Sequence, residues 1–368
     1  MLGSSRQVLQ RLSRSAAGRR WCGFVAAIGT GSDVPLLTSR SVLDQTTAKL
    51  EHRGPDGRHL AQGSTTNNNT QWSMGHQRLA IVDPDSRAAD MPFVLEFGDM
   101  SYKLVANGEI YNHATLYEEL RNQHGWTHER QSHSDCEVIA HACACLGPEV
   151  AVQKLDGMFA FTLFTEDKKG DISVFAARDP VGIKPLYHAV DDKSTHVFSS
   201  ELKALVGHVD PASVQAIPAG HYWTPSGGLV RYHSPEWLYG IDGTTSSIPE
   251  RPSDDQVREA FSKAVQKRMM SDVDYGFFLS GGVDSCILSH ALLPMYRKET
   301  GDDRPIPAFT VGMEDSPDLQ AARAMVDALG GSRYVDHRAR VFTGQDVFDL
   351  IPKIIYHMET YECVVVGS

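Results

Sequence analysis

Cys22 stands directly before a short apolar run, Gly23-Phe24-Val25, and directly after twenty-one residues without an acidic side chain. A cysteine that opens a chain carries a thiol and a free α-amine in one residue. Their reference pKa values, near ~8.5 and ~8, let the amine take the thiol's proton at neutral pH, so the residue is nucleophile and base together. A cysteine at the head of a strand is otherwise a small buried apolar residue, and only the rest of the chain separates the two readings. Residues 1–21 hold Arg6, Arg11, Arg14, Arg19, Arg20 and four serines, with Leu2, Leu9, Leu12 and Ala16 on one helical side. That is the make-up of a mitochondrial or plastid transit segment, or of a basic tail. Arg20 lies two residues before Cys22, and cleavage after Trp21 would place Cys22 first.

A second centre of chemistry is Ser280-Gly281-Gly282-Val283-Asp284-Ser285, between an apolar strand at 275–279 and a helix from Cys286 to Met295. Two glycines let a ligand approach the backbone, and the free N–H groups of a helix start favour an anion. Asp284 beside an anion calls for a bridging cation such as Mg²⁺. No Gly-Lys-Ser/Thr follows, so this is not the common P-loop.

Three further groups invite chemistry. Asn107-Gly108-Glu109 reads as a tight turn by composition, either a plain hairpin turn or an oxyanion hole built from the Asn107 amide and the Gly108 N–H. Arg78 and Asp135 suit the α-carboxylate and α-ammonium of an amino acid, although singly each could be a surface charge or a helix cap. His133, Cys136, His141, Cys143 and Cys145 cluster in sequence without any CxxC pair. Most lie on one helix where Cys143 and Cys145 diverge, which argues against zinc.

The elements that must position these residues follow two grammars. From Cys22 to about Tyr232 the chain reads as strands with two helices and a weakly helical stretch: strands at 25–28, 78–83, 103–106, 158–164, 172–177 and 196–199, helices at 115–121 and 135–146, and the weak stretch at 40–50. Stacked sheets with helices outside are expected. Ser234 to Arg251 is rich in Pro, Gly, Ser and Thr and reads as a linker, 233–252. From Ser253, which can form a capping box with Gln256, strands and helices alternate, predicting a parallel α/β sheet. Val257, Ala260, Phe261, Ala264 and Val265 form one apolar helical face. The formal net charge of −11 argues against non-specific nucleic-acid binding. No apolar run is long enough to span a bilayer. Six scattered cysteines suit a reducing compartment better than a disulfide framework.

Taken in order, these stretches resemble the glutamine-dependent asparagine synthetases. The likeness runs from Cys22 to about Tyr361. It includes His52-Arg53-Gly54-Pro55-Asp56, His76-Gln77-Arg78-Leu79-Ala80-Ile81-Val82-Asp83, Asn107 to Asn112, Ser134-Asp135-Cys136-Glu137, Asp156 to Phe161, Arg178-Asp179 to Tyr187, Ser200 to Leu205 and Ser280 to Ser285. The resemblance implies an α+β N-terminal-nucleophile hydrolase sandwich (αββα) over 22–232. It implies an α/β parallel-sheet ATP-pyrophosphatase (PP-loop) domain over 253–368. Cys22 would attack the glutamine amide, with Asn107 and Gly108 as oxyanion hole. Arg78, Asn107, Gly108, Glu109 and Asp135 would hold glutamine. Ammonia would pass inside the protein to a site where Leu279, Ser280, Gly281, Gly282, Val283, Asp284, Ser285 and Val311 bind ATP and Asp284 holds Mg²⁺. Aspartate would become an AMP ester that ammonia converts to asparagine, with AMP and pyrophosphate released. The family implies a cytoplasmic ligase and often a homodimer, with no nucleic-acid or membrane partner.

Three departures from the family pattern stand out. Trp21 and a 20-residue extension precede the cysteine, so an uncleaved chain is expected not to hydrolyse glutamine. Glu362-Cys363-Val364-Val365-Val366 is unlike the family's usual run. The family's second nucleotide motif, Ser-Gly-Glu-Gly-Ser-Asp-Glu, does not occur, so the second domain reads as truncated. A chain ending at Ser368 is expected to fold poorly over 253–368 and not to adenylate aspartate. Alternatives are a non-catalytic glutamine-binding fragment, a glutaminase-only protein, and a β-lactam-forming relative. Cys22 disfavours the last.

Overall fold

In the computed structural model the described residues are 21–30, 39–65, 69–235, 251–300 and 304–360. Residues 1–20 and most of the expected linker lie outside them. The chain divides into two compact units with the boundary between Ser246 and Ser247.

The first unit opens with β1 (Gly23–Thr30), α1 (Arg40–Ala48), β2 (Gly57–Ser64), β3 (Thr70–Arg78), β4 (Phe93–Phe97) and β5 (Met100–Ile110). Three helices follow: α2 (His113–His124), α3 (Glu137–Leu146) and α4 (Pro148–Lys154). The rest is β6 (Gly157–Asp167), β7 (Ile172–Arg178), β8 (Tyr187–Val190), β9 (His196–Ser199), β10 (Gln215–Ala216), β11 (His221–Thr224) and β12 (Gly228–Arg231). They form two six-stranded sheets, in the orders β10-β8-β9-β1-β3-β2 and β12-β11-β7-β6-β5-β4. β1 meets β5 across the sheets, α1 packs on β1, β2 and β3, and α3 packs on β4 and β5. The layers are thus helix, sheet, sheet, helix, the αββα sandwich expected.

β1 shows why its run is uniformly apolar. Phe24, Ala26 and Ile28 join the core that Met74, Leu104, Ala106 and Phe161 share, while Val25 and Ala27 join Leu43 of α1. A strand covered on both faces has no polar side to alternate with.

Two sequence expectations fail here. Residues 78–83 are not a strand: β3 ends at Arg78, and Asp83 has a left-handed φ of 53°. Asn107-Gly108-Glu109 is not a turn but the far end of β5, whose eleven residues all pair antiparallel with β6. Cross-strand pairing overrides the turn preference of Asn-Gly. Gly108 fits because a Cβ there would lie 2.2 Å from the Met158 carbonyl oxygen and 2.7 Å from the Phe159 Cα.

The second unit holds α5 (Asp254–Lys267), β13 (Phe277–Phe278), α6 (Val283–Thr300), β14 (Ile306–Gly312), α7 (Pro317–Ala328), β15 (Val335–Val341) and α8 (Gly344–Met358). The three strands are parallel in the order β13-β14-β15. Ser253 and Gln256 do form a capping box. On the expected apolar face of α5 only Val265 is buried, and Val257 and Phe261 are exposed. Among the described residues, no helix is long and apolar enough to cross a membrane.

Candidate active site

β1 lies beside β3 with Gly23 opposite Gln77. Because the chain turns out of β3 after Arg78, the next residue meets the one before Gly23. The Leu79 amide donates to Cys22 Sγ at 3.2 Å, and the thiol reaches back to the Leu79 carbonyl at 3.6 Å. Arg53 Nε donates to the Cys22 carbonyl at 3.0 Å. Burial pushes the Cys22 thiol up to about 11; the Leu79 amide opposes this, Glu109 adds to it, and Lys184 and Arg53 oppose it. Joined to Trp21, the residue is held as a neutral thiol.

β5 supplies the facing wall. β4 pairs with β5 only as far as Leu104, so residues beyond it have an open edge opposite β6. Groups on that edge find other partners. Ala106 accepts His76 Nε2–H at 3.1 Å, Gly108 O accepts the Cys136 thiol at 3.3 Å, and the Ile110 amide donates to Asp135 Oδ2 at 2.7 Å. Strand alternation turns the Gly108 N–H to the same open edge. Asn107 is fully buried, yet neither its Oδ1 nor its Nδ2 has a hydrogen-bond partner. A buried amide with both ends unsatisfied costs stability unless a ligand or solvent completes it.

Cys22, Arg78, Asn107, Gly108, Glu109 and Asp135 line one pocket. Six side chains or amides singled out in sequence therefore converge, although four elements carry them. Two are acids held away from their ordinary range. Burial raises Glu109, countered by Lys184, and leaves its Oε2 without a partner. Burial also carries Asp135 up to about 7, against the Ile110 amide and with the help of Glu109. Two reluctant carboxylates in one pocket favour a cation such as an α-ammonium. Arg78 sits differently from expectation. Its terminal nitrogens are engaged by Asp90 at 2.8 Å and by the carbonyls of Val82, Asp83 and Ser86. Its Nε alone makes no hydrogen bond to a described residue.

His76 and Cys136 also line the pocket, and the sequence alone does not assign them to it. Burial pulls His76 down to about 3, so it stays neutral and ties β3 to β5. Cys136 falls in the Ser134-Asp135-Cys136 run, where its spacing from other cysteines and histidines raises only a metal role. Of that group, His141 is hydrogen-bonded to Trp126 and Glu137, and Cys143 is buried among apolar side chains.

In the second unit the loop after β13 closes on itself. Ser280 N donates to Ser285 Oγ at 3.3 Å, Gly282 N donates to Ser280 Oγ at 3.3 Å, and Ser285 Oγ donates to the Gly282 carbonyl at 3.0 Å. Gly281 has φ +79° and a Cβ there would stand 2.6 Å from the Ala321 Cβ of α7. Val283 and Asp284 open α6 exposed. Val311 is exposed on β14, whereas the Leu279 side chain is fully buried and its N–H and C=O are engaged by the Phe309 carbonyl and Thr310 Oγ1 at 2.8 and 2.7 Å.

Residues 21–224 match the family described as glutamine amidotransferase domain. The chain belongs to the glutamine amidotransferase domain family. Residues 256–368 match a second family, asparagine synthase. Curated relatives include asparagine synthetase [glutamine-hydrolyzing] 2 of Arabidopsis thaliana, 38% identical over 94% of this chain and 55% of that one. The protein of the same name from Oryza sativa subsp. japonica is 39% identical over 94% and 54%. A probable asparagine synthetase of Dictyostelium discoideum is 35% identical over 94% and 59%. The chain thus spans about half the length of the curated relatives it matches. A solved glutamine phosphoribosylpyrophosphate amidotransferase from B. subtilis aligns with 87% of this chain and 81% of its own at TM-score 0.46 and 16% identity. A likeness that slight says nothing of function.

Proposed function

We propose that this amidotransferase takes ammonia from glutamine at Cys22 and delivers it to an ATP-dependent conversion of aspartate to asparagine. The observation that carries the reading is the unsatisfied, fully buried Asn107 amide in the pocket that Cys22 lines. Attack on a carboxamide builds negative charge on its oxygen, and the Asn107 Nδ2 and Gly108 N–H are the donors available to meet it. Glu109 and Asp135, whose charged forms burial disfavours, take the α-ammonium, and its charge would favour their ionisation. Arg78 faces the α-carboxylate through Nε. Residues 1–21 are a segment whose removal frees the Cys22 amine as base, which fits an organellar destination as well as a cytoplasmic family.

At the second centre, Ser280 to Ser285 cradle the ATP phosphates, bounded by the Leu279 main chain and Val311. Asp284 fits Mg²⁺: its carboxylate is an exposed oxygen donor at a helix start with no hydrogen bond or ion pair to a described residue. Bound there, the ion would neutralise phosphate charge. The chain's own amides at Gly281 and Val283 orient the phosphates. The test is product analysis with glutamine, aspartate, Mg²⁺ and ATP, on protein beginning at Cys22. Asparagine and AMP in equal amounts support the whole reading. Glutamate and ammonia without AMP confine the activity to a glutaminase.

A further inference from the structure

A buried lysine that follows β7 packs on Trp21, the residue joined to Cys22. Residues 179–184 wrap around a single buried carboxylate. Asp179 Oδ1 accepts the amides of Val181, Gly182 and Ile183 at 3.0, 2.6 and 3.0 Å. Its Oδ2 accepts those of Lys184 at 3.0 Å and Phe159 at 3.3 Å. Arg178 holds the other side of the loop, donating from Nε to the Lys184 carbonyl and from Nη2 to the Gly182 carbonyl, both at 2.7 Å. The main chain of residue 184 is therefore fixed at its N–H and its C=O. The residue is 1% exposed. Its ammonium stands 4.3 Å from the centre of the Trp21 ring, on the residue joined to Cys22.

A buried ammonium needs a negative partner. Lys184 Nζ donates no hydrogen bond to any described residue, and the Trp21 ring face offers only a quadrupole. The charged and titratable groups acting on it are Glu109, Cys22, Arg53 and Cys136. Asp135, His76 and Arg78 line the pocket with Cys22. Burial lowers the ammonium's pKa while Glu109 and Cys22 raise it, and Lys184 in turn draws the Cys22 thiol down. None of the hydrogen bonds around Cys22 brings a full positive charge to the sulfur: Leu79 supplies an amide, and Arg53 gives Nε to the Cys22 carbonyl and Nη1 to Glu201, with Nη2 unpartnered and a smaller pull on the thiol than that of Lys184.

We propose that Lys184 is a positioning residue for the nucleophile, its ammonium serving as counter-ion to the Cys22 thiolate. The loop built on Arg178 and Asp179 exists to hold that charge in place, and the Trp21 ring covers it while Cys22 is uncharged. The proposal rests on the reading of Cys22 as the attacking thiol.

The test is alkylation of Cys22 by iodoacetamide in the full chain from pH 6 to 11, followed by the mass of the Cys22 peptide. The thiol proton goes to solvent, an S–C bond forms and iodide leaves, so the rate reports thiolate. Lys184→Met should slow alkylation about tenfold at pH 8 and move the profile up by about one pH unit, as loss of an adjacent opposite charge does. Lys184→Arg should restore it. Lys184→Gln, which keeps a polar head without charge, gives the same reading should the Met variant not fold. Superimposable profiles for folded Lys184 and Lys184→Gln proteins would overturn the proposal. Glutamine is absent from this assay. A wrong glutaminase reading would instead appear as no glutamate from a protein whose Cys22 profile still follows residue 184.

Discussion

Arg53 and Glu201 lie 2.7 Å apart, and both side chains are buried. Arg53 Nε meanwhile holds the Cys22 carbonyl, so this ion pair carries the nucleophile's main chain. His52 and Lys203 complete the grip on Glu201. Burial pushes the Glu201 carboxyl up, but the His52 hydrogen bond, the Arg53 charge and the Lys203 hydrogen bond hold it at about 2.

Removing that carboxylate leaves the buried Arg53 guanidinium without its ion-pair partner, which typically costs ~3–5 kcal/mol. Glu201→Gln is expected to lower the melting temperature of the first unit by many degrees and to change the alkylation rate of Cys22. Calorimetry and peptide mass read both. A melting curve unchanged from wild type would show the cluster to be incidental.

Asn107→Ala should leave the fold intact, because no protein group depends on its side chain. Glutamine hydrolysis by protein beginning at Cys22 should fall by ~10²–10³ in kcat, the usual effect of losing one oxyanion donor. A change confined to KM would assign the amide to ground-state binding instead.

His188 is stacked on Phe198 and packs at a tilt against Trp223, with Nε2 3.0 Å from His196 Nδ1. Burial, with His196 adding to it, pulls its pKa down to about 4. The folded pKa lies below the ordinary 6.5, so the unfolded chain binds this proton more readily. Stability contributed by neutral His188 is present above pH 6.5 and is lost as pH falls toward 4, at up to ~1.4 kcal/mol per pH unit. His188→Phe keeps the stacking and abolishes that loss. Its melting temperature should fall less than the wild type's between pH 7 and pH 4.5. Parallel curves would remove His188 from the acid response. Titrating groups outside the His188–His196 pair, such as Asp135 with its raised pKa, are common to both proteins and cancel.

Gly281 and Gly282 should respond unequally to alanine. Position 281 has φ +79° and no room beside α7, whereas at 282 the nearest atom to a Cβ is Ser280 Oγ at 3.4 Å. Gly281→Ala is expected to destabilise the second unit by ~1–3 kcal/mol and to abolish ATP binding. Gly282→Ala should change stability by less than ~1 kcal/mol. Thermal melts with and without ATP and Mg²⁺ distinguish them, and equal effects would contradict the loop geometry.

The layered architecture was legible because β1 and the strands at 158–164 and 172–177 carry runs that only a strand between two covered faces needs. The pocket was legible as residues but not as geometry. Asn107-Gly108 has the composition of a turn, and its place at the end of an eleven-residue strand depends on β6, some fifty residues away. Arg78 to Asp83 looks extended, but Leu79 is drawn to Cys22 by a contact spanning 57 positions. Lys184 and Glu201 lie inside stretches that resemble the family. Their roles become visible only once Asp179 and Arg53 are seen to fix them, since a buried lysine and an exposed one are alike in sequence.

The central claim is that Cys22, freed of Trp21, is a nucleophile toward glutamine. Glutamate release should be measured for three proteins: one beginning at Cys22, the same protein with Cys22→Ala, and the chain that retains Trp21. Steady release is expected from the first alone, because only there does a free amine stand beside a thiol otherwise held at about 11. Equal release from the Trp21-bearing chain, or any turnover surviving Cys22→Ala, would contradict it.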